Sequence, residues 1–398
     1  MRAQDGQLKK SIAETEHFWA CKAPDEYEGW SWMKVPDNAL EEVDSYHRMA
    51  TLQLKANQVE WDSPLARLGV AGAIDGHSHL EGYPETPELV EELKQILDGA
   101  GIENIVTLPL FKFWDEQKRE IEAWNNGPLG GRVICFAGFD WQLDQPGFVE
   151  KACAHLDDVK KMGVRGIKVH KNVGLSIKSN GSVAPLSDTR YKEVFTHAGT
   201  LDLPIWIHYG DPYSFFFPFE GNDRSRELSC FPEWHWYPEH GEKEYWKMHE
   251  AFFRLVEDTR GTDFVAVHLA NYPWEKMSEF AALLESQPNL YSDTSGRLGE
   301  IGKGKALDGI EDSRSAAARE LLVRCQDKIL WGTDILPTAK LYKLWSYFLR
   351  SDATDIDYTW STFYPGQGDW LVDCLQLEQP HLEKFCRGVA AGLLGLDK

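Results

Sequence analysis

From Ile74 onward, short apolar runs alternate with longer stretches whose apolar residues recur at spacings of three and four, with charges opposite. The short runs read as strands at 72–75, 104–108, 133–139, 166–169, 204–207, 264–267, 290–293 and 329–333. The longer stretches at 87–99, 146–162, 189–200, 245–259, 274–286 and 313–325 carry the signature of amphipathic helices that cover a sheet. Such alternation implies a parallel sheet, and eight units imply a closed α/β barrel of the (β/α)8 TIM type.

The flanks read differently. Residues 1–70 contain one amphipathic stretch, 38–55, and the aperiodic Trp30-Ser31-Trp32, which suggests an N-terminal helical extension packed on the barrel. The barrel is expected over 71–398. From about Lys340 the chain becomes a C-terminal helical tail, ending in a helix at 381–394 that Gly395 could terminate. One connection is unusually long, 209–244, and rich in aromatics, including Tyr209, Phe215, Phe216, Phe217, Phe231, Trp234, His235, Trp236 and Tyr237. Loops beyond about 12–15 residues are usually functional lids or disordered, and disordered segments are poor in aromatics. A folded flap over the barrel mouth is the expectation; a protein–protein contact is the alternative.

Composition narrows the partners. A net charge of −21 over 398 residues opposes nucleic acid and anionic membranes, both of which require a cationic footprint. The seven cysteines are scattered and form no CxxC pair, so reduced thiols in a cytoplasmic protein are expected. No apolar run is long enough to span a bilayer, and residues 1–16 show no secretory apolar region. The expected partner is a small molecule.

The candidate chemistry lies at the trailing strand ends. The first strand runs into Asp75-Gly76-His77-Ser78-His79, where residues i and i+2 share a face, so two imidazoles converge as a divalent metal requires. Later runs end in Lys168 and His170, then His208, then His268, then Asp334. In a (β/α)8 barrel such ends gather at one mouth. Taken singly, each could be a satisfied core residue. Arg297, just past the seventh strand, could bind an anion through its fork or simply cap a helix. Trp114, Trp141, Tyr209, Trp234, His235 and Trp236 could line an apolar pocket for a ring-shaped substrate or pack the flap. The stretch 299–306 nearly spells a phosphate-binding loop, but Ala306 lacks the required hydroxyl.

The ordered set His77/His79, Lys168, His208, His268 and Asp334 resembles the amidohydrolase superfamily, in particular the branch containing aminocarboxymuconate semialdehyde decarboxylase. The likeness includes Ile-Asp-Gly-His-Ser-His at 74–79, Val-His-Leu-Ala-Asn at 267–271, Asp-Thr-Ser at 293–295 and Trp-Gly-Thr-Asp at 331–334. It implies that His77, His79 and His208 bind one divalent metal, with Asp334 as a further ligand or the catalytic base. Zinc is the expected ion, with manganese, iron or nickel as alternatives. His268 would act on the attacking water or the oxyanion. Lys168 would bridge a second metal if carboxylated, or otherwise hold a substrate carboxylate; His170, Arg297, Trp234 and Trp236 join it as substrate-binding candidates. The implied reaction is hydrolysis of an amide, lactone or similar carbonyl compound. A non-oxidative decarboxylase of a carboxylated ring or enol acid is the alternative, and a catalytically silent binding barrel a further one. Relatives often form homodimers.

Overall fold

A computed structural model of the chain describes residues 68–80, 87–109, 114–230, 232–297, 300–305, 311–334, 337, 339–354, 356–357 and 371–396. The expected helix at 38–55 and Trp30-Ser31-Trp32 lie outside the described residues. Strands and helices alternate as β1 Ala73–Ser78, α1 Pro87–Ala100, β2 Ile102–Thr107, α2 Trp114–Asn126, then β3 Val133–Cys135 with its continuation Ala137–Gly138. They continue as α3 Phe148–Lys161, β4 Ile167–Val169, α4 Thr189–Thr200, β5 Ile205–Ile207, α5 Glu242–Asp258 and β6 Phe264–Ala266. The last units are α6 Met277–Ser286, β7 Leu290–Asp293, α7 Arg314–Arg324, β8 Ile329–Leu330 and α8 Ala339–Arg350.

Each strand pairs in parallel with the next. The expected third strand is broken at Phe136. Its N–H donates to Thr107 O, while Ala137 N donates to Gly166 O, so one strand passes the ladder from β2 to β4. Backbone hydrogen bonds then run from the last strand to the first: Gly76 N to Trp331 O at 3.0 Å, and Thr333 N to His77 O at 3.0 Å. The fold is a (β/α)8 barrel.

Asp75 reinforces that seam. Its buried carboxylate accepts from Thr333 N at 3.1 Å, Thr333 Oγ1 at 2.8 Å and Tyr342 Oη at 2.9 Å. Burial pushes its pKa up to about 6. The acid in the opening motif is therefore a closure element of the barrel. Gly76 has a related reason: a Cβ there would stand 2.9 Å from Trp331 O and strike the Leu330 side chain. Only a residue without a side chain lets β8 approach this closely.

Alternation sorts the strand side chains into two layers. Ile74, Val106, Ile134, Trp206, Val265 and Leu330 fill the barrel interior, and Val389, Ala390, Ala391 and Leu394 close it from below. Ile105, Ile167, Val169, Ile205 and Ile207 face outward into the core shared with the helices. Lys168 lies between Ile167 and Val169, so it points inward. The register Val169↔Ile207↔Ala266 brings His170 and His208 out at one level, with His268 one residue further along.

One region departs from the sequence expectation. Residues 339–350 complete the eighth βα unit, so the tail begins later than its composition suggested. The terminal helix is Gln379–Glu383 and Val389–Leu394 joined by a π turn, Lys384–Gly388, and it ends at Gly395 with φ 63°. Gly302–Lys305 is a strand of a small antiparallel sheet, no setting for a phosphate loop. Among the described residues no helix is long and apolar enough to cross a membrane.

Replacing Gly76 by Ala is expected to destabilise the barrel by about 1–3 kcal/mol through overpacking at the seam. Gly99→Ala, at a helical position with open space around it, should instead gain about 0.5–1 kcal/mol. Urea unfolding of both variants checks the contrast.

Candidate metal centre

At the mouth, ligand atoms of His77, His79 and Asp334 lie within 4.8 Å of one another. Asp334 Oδ1 is 3.1 Å from His77 Nε2 and 3.6 Å from His79 Nε2. The opposite ring nitrogens are already engaged. His77 Nδ1 is 2.7 Å from Asp293 Oδ2, and His79 Nδ1 is 2.7 Å from Leu108 O. Each Nδ1 thus donates outward, which leaves Nε2 to present a lone pair inward. Asp334 sits at φ 69° and its N–H donates to His77 O at 2.8 Å, so the backbone itself turns the carboxylate back over β1.

The donor set fits a divalent cation: two imidazole nitrogens held by second hydrogen bonds and one carboxylate, with borderline hardness suited to zinc or manganese. His208 lies beside this trio and outside it. Its ring packs edge-on to His268 at 4.5 Å, and its Nε2 has no hydrogen-bond partner, with Asp211 Oδ1 3.8 Å away. A buried nitrogen left in this state is available to a cation at the mouth. Burial, with His268 and Lys168 beside it, holds His208 well below the usual histidine range, in the neutral form a ligand needs.

Lys168 Nζ stands 3.5 Å from His77 Nε2, and burial pulls its pKa down to about 8. Burial and Lys168 oppose protonation of His77, yet Asp293 and Asp334 outweigh them and raise it. Asp334 is likewise penalised by burial, but the surrounding histidines hold it well below the usual carboxylate range. A cation bound here would take the place of a proton on His77.

His268 closes the cluster from the other side. Its Nε2 is 3.9 Å from Asp334 Oδ2 and its Nδ1 is 2.5 Å from Ser295 O. Gly296, at φ 66°, gives it room, since a Cβ there would lie 3.0 Å from Asp334 Oδ2 and 3.3 Å from His268 Nδ1. Burial lowers His268 to about 4.

The family model described as Amidohydrolase matches residues 136–396, and this stretch carries Lys168, His208, His268 and Asp334. The chain belongs to the amidohydrolase family. No curated protein matches the sequence of this amidohydrolase. Among solved structures, a 2,6-dihydroxybenzoate decarboxylase from Rhizobium shares 15% identity and a TM-score of 0.52, over 83% of this chain and 100% of its own. A dihydroxybenzoic acid decarboxylase from Polaromonas sp. JS666, solved with manganese and 2-nitroresorcinol, shares 14% at a TM-score of 0.51, over 83% and 98%. An amidohydrolase from Burkholderia multivorans with bound zinc shares 12% at 0.47, over 82% and 99%. For the two decarboxylases the likeness is one of fold.

The substrate-binding candidates of this amidohydrolase divide. His170 adjoins the centre, but its Nε2 is 2.7 Å from Pro109 O, and burial holds it well below the usual histidine range. Trp236 Nε1 donates to Asp211 Oδ2 at 2.8 Å, and Lys171 Nζ meets both Asp211 oxygens at 3.1 Å while lying 4.0 Å over the Trp234 ring. The tryptophans of the long connection therefore pack against an ion pair. Arg297 is turned away from the centre. Its Nε is 2.9 Å from Glu300 Oε2, its Nη2 donates to Tyr272 O at 3.0 Å, and it lies 5.0 Å over Trp274. The fork expected to meet an anion is engaged within the protein.

Sequence reasoning left Asp293 and Ser295 without a role. Besides His77, Asp293 accepts from His268 N at 2.9 Å and Ser295 N at 3.1 Å, while Ser295 Oγ lies 2.9 Å from His77 Nδ1. The signal was present, for Asp293 also ends a strand.

Asp293→Asn removes the charge that fixes His77. It should weaken Zn2+ binding by roughly 10–100-fold, read by chelator competition on the purified protein.

Proposed function

We propose that this protein is a metal-dependent hydrolase whose substrate is a small amide, lactone or similar carbonyl compound. His77, His79 and Asp334 would hold the cation, with His208 as a further ligand. When bound, a divalent cation supplies Lewis acidity, polarising a substrate oxygen and acidifying water. The observation that carries the reading is the division of labour on Asp334. Oδ1 faces the two metal-facing imidazoles at 3.1 and 3.6 Å, and Oδ2 faces His268 Nε2 at 3.9 Å.

A carboxylate shared in this way can take a proton from water on Oδ2 and return it to a leaving group. His268 refines the expectation. With Nδ1–H given to Ser295 O, its Nε2 is an acceptor, suited to orienting an O–H for attack. Gly296 keeps a side chain from crowding both groups.

Lys168 favours a second reading, non-oxidative decarboxylation of a carboxylated ring or enol acid. A buried ammonium 3.5 Å from His77 Nε2 is placed to hold a carboxylate as carbon dioxide departs. The same geometry suits a carboxylated lysine, so metal stoichiometry belongs in the test.

The decisive measurement combines metal analysis with turnover of a panel of lactones, amides and hydroxybenzoates in 18O-labelled water. Label in the organic product supports hydrolysis, and carbon dioxide release with no label in the organic product supports the decarboxylase. Stoichiometric metal with neither product would mark a silent barrel. His77→Ala should strip the metal. Asp334→Asn should lower turnover by about 10²–10⁴-fold while retaining much of the metal; a near-unchanged rate would remove Asp334 as the base.

A further inference from the structure

Four consecutive non-glycine residues, His268 to Asn271, hold φ values of 59°, 50°, 58° and 52°. L-residues avoid this left-handed region, and Leu269 and Ala270 have no polar side chain to offset the cost. All four are buried. The surroundings must therefore hold the turn in place. Asp293 Oδ1 takes the His268 N–H at its start. Further along, the Tyr245 hydroxyl donates to Asn271 O at 2.8 Å, Asn271 Nδ2 to Gly210 O at 3.3 Å, and Arg297 Nη2 to Tyr272 O at 3.0 Å.

Arg297 is one link of a longer chain. Glu300 Oε2 accepts from Trp274 Nε1 at 2.8 Å and pairs with Arg297, while Oε1 pairs with Arg224 of the long connection. Arg224 also pairs with Glu227 at 2.6 Å and lies 5.7 Å over the Phe215 ring, which stacks on Trp234 at 6.4 Å. The side chains of Arg224, Glu300 and Arg297 are only 4–5% exposed.

We infer that Arg224, Glu300 and Arg297 form a buried ionic relay through which the aromatic flap fixes the position of His268. Arg224 and Arg297 are then positioning residues. This rests on the reading of His268 as the group that orients an O–H beside Asp334. Charges at this depth cannot change partners without leaving one of them uncompensated. Movement of the flap at Arg224 thus leaves the Glu300 charge to Arg297 alone, which draws on the donor that restrains the end of the turn. The turn, already disfavoured, relaxes when that restraint weakens.

The test needs no substrate. Histidines in the full-length protein are labelled with 13C at Cε1, and the His268 resonance is assigned from a His268→Gln variant. Flap opening is followed by thermolysin cleavage within 209–244. Arg224→Met keeps the apolar stem and cuts the relay on the flap side. It is expected to speed cleavage by about tenfold and to shift or broaden the His268 signal, leaving unchanged that of His197, which pairs with Asp157 at 3.0 Å from the last turn of α4. Glu300→Gln should do the same. Arg324→Met, which breaks the exposed pair with Glu285, should do neither.

Faster cleavage with the His268 signal in place overturns the inference, as does a lowered unfolding temperature with that signal unmoved, the mark of a purely structural role. Should Arg224→Met fail to fold, Arg224→Lys, which keeps the charge and loses the fork, gives the same comparison. Because both readouts are taken without substrate, failure of the relay and failure of the hydrolase reading remain separate results.

Discussion

The constraint on which the centre depends is the buried carboxylate of Asp293. It lies at the end of β7 with no exposure to solvent, where an unpaired charge would cost several kcal/mol. Its oxygens are met by His77 Nδ1, His268 N, Ser295 N and Ser295 Oγ. Burial works against its ionisation, but His77 and these donors hold it below the usual carboxylate range. One acid thereby fixes the tautomer of a candidate metal ligand, anchors the left-handed turn and orders the loop that carries Gly296.

Around it the barrel is divided by height. The lower interior is dry, filled by Ile74, Ile134, Trp206 and Leu330 and closed by the terminal helix. Above that floor the inward positions become polar, beginning with Lys168. Low dielectric beneath the site strengthens every charge interaction within it, so the histidines around Asp334 keep its carboxylate ionised against the cost of burial.

Much of this was legible in the chain. The strand-end rule located His77, His79, Lys168, His208, His268 and Asp334 because parallel strands in one barrel must end at one mouth. The pair at 77 and 79 was readable from strand periodicity alone. What escaped depends on long-range partners. Arg297 looks free in sequence because nothing local announces Glu300 as its partner or Arg224 as the third member. The turn at 268–271 could not be foreseen, since Leu-Ala-Asn carries no glycine to advertise positive φ. Helix α2 was missed because its polar residues dilute a stripe formed by Gln117, Ile121 and Trp124. The helix at 339–350 was hidden by a composition that resembled a tail.

The seam built on Asp75 has a consequence for how the molecule is made. Its hydroxyl partner Thr333 lies 258 positions downstream, and Tyr342 lies further still. During synthesis His77 and His79 leave the ribosome long before Asp334, the carboxylate that lies beside them in the fold. Contacts this distant in sequence are slow to form and are gained late. The candidate centre is thus incomplete until the whole circle of strands has been made and joined.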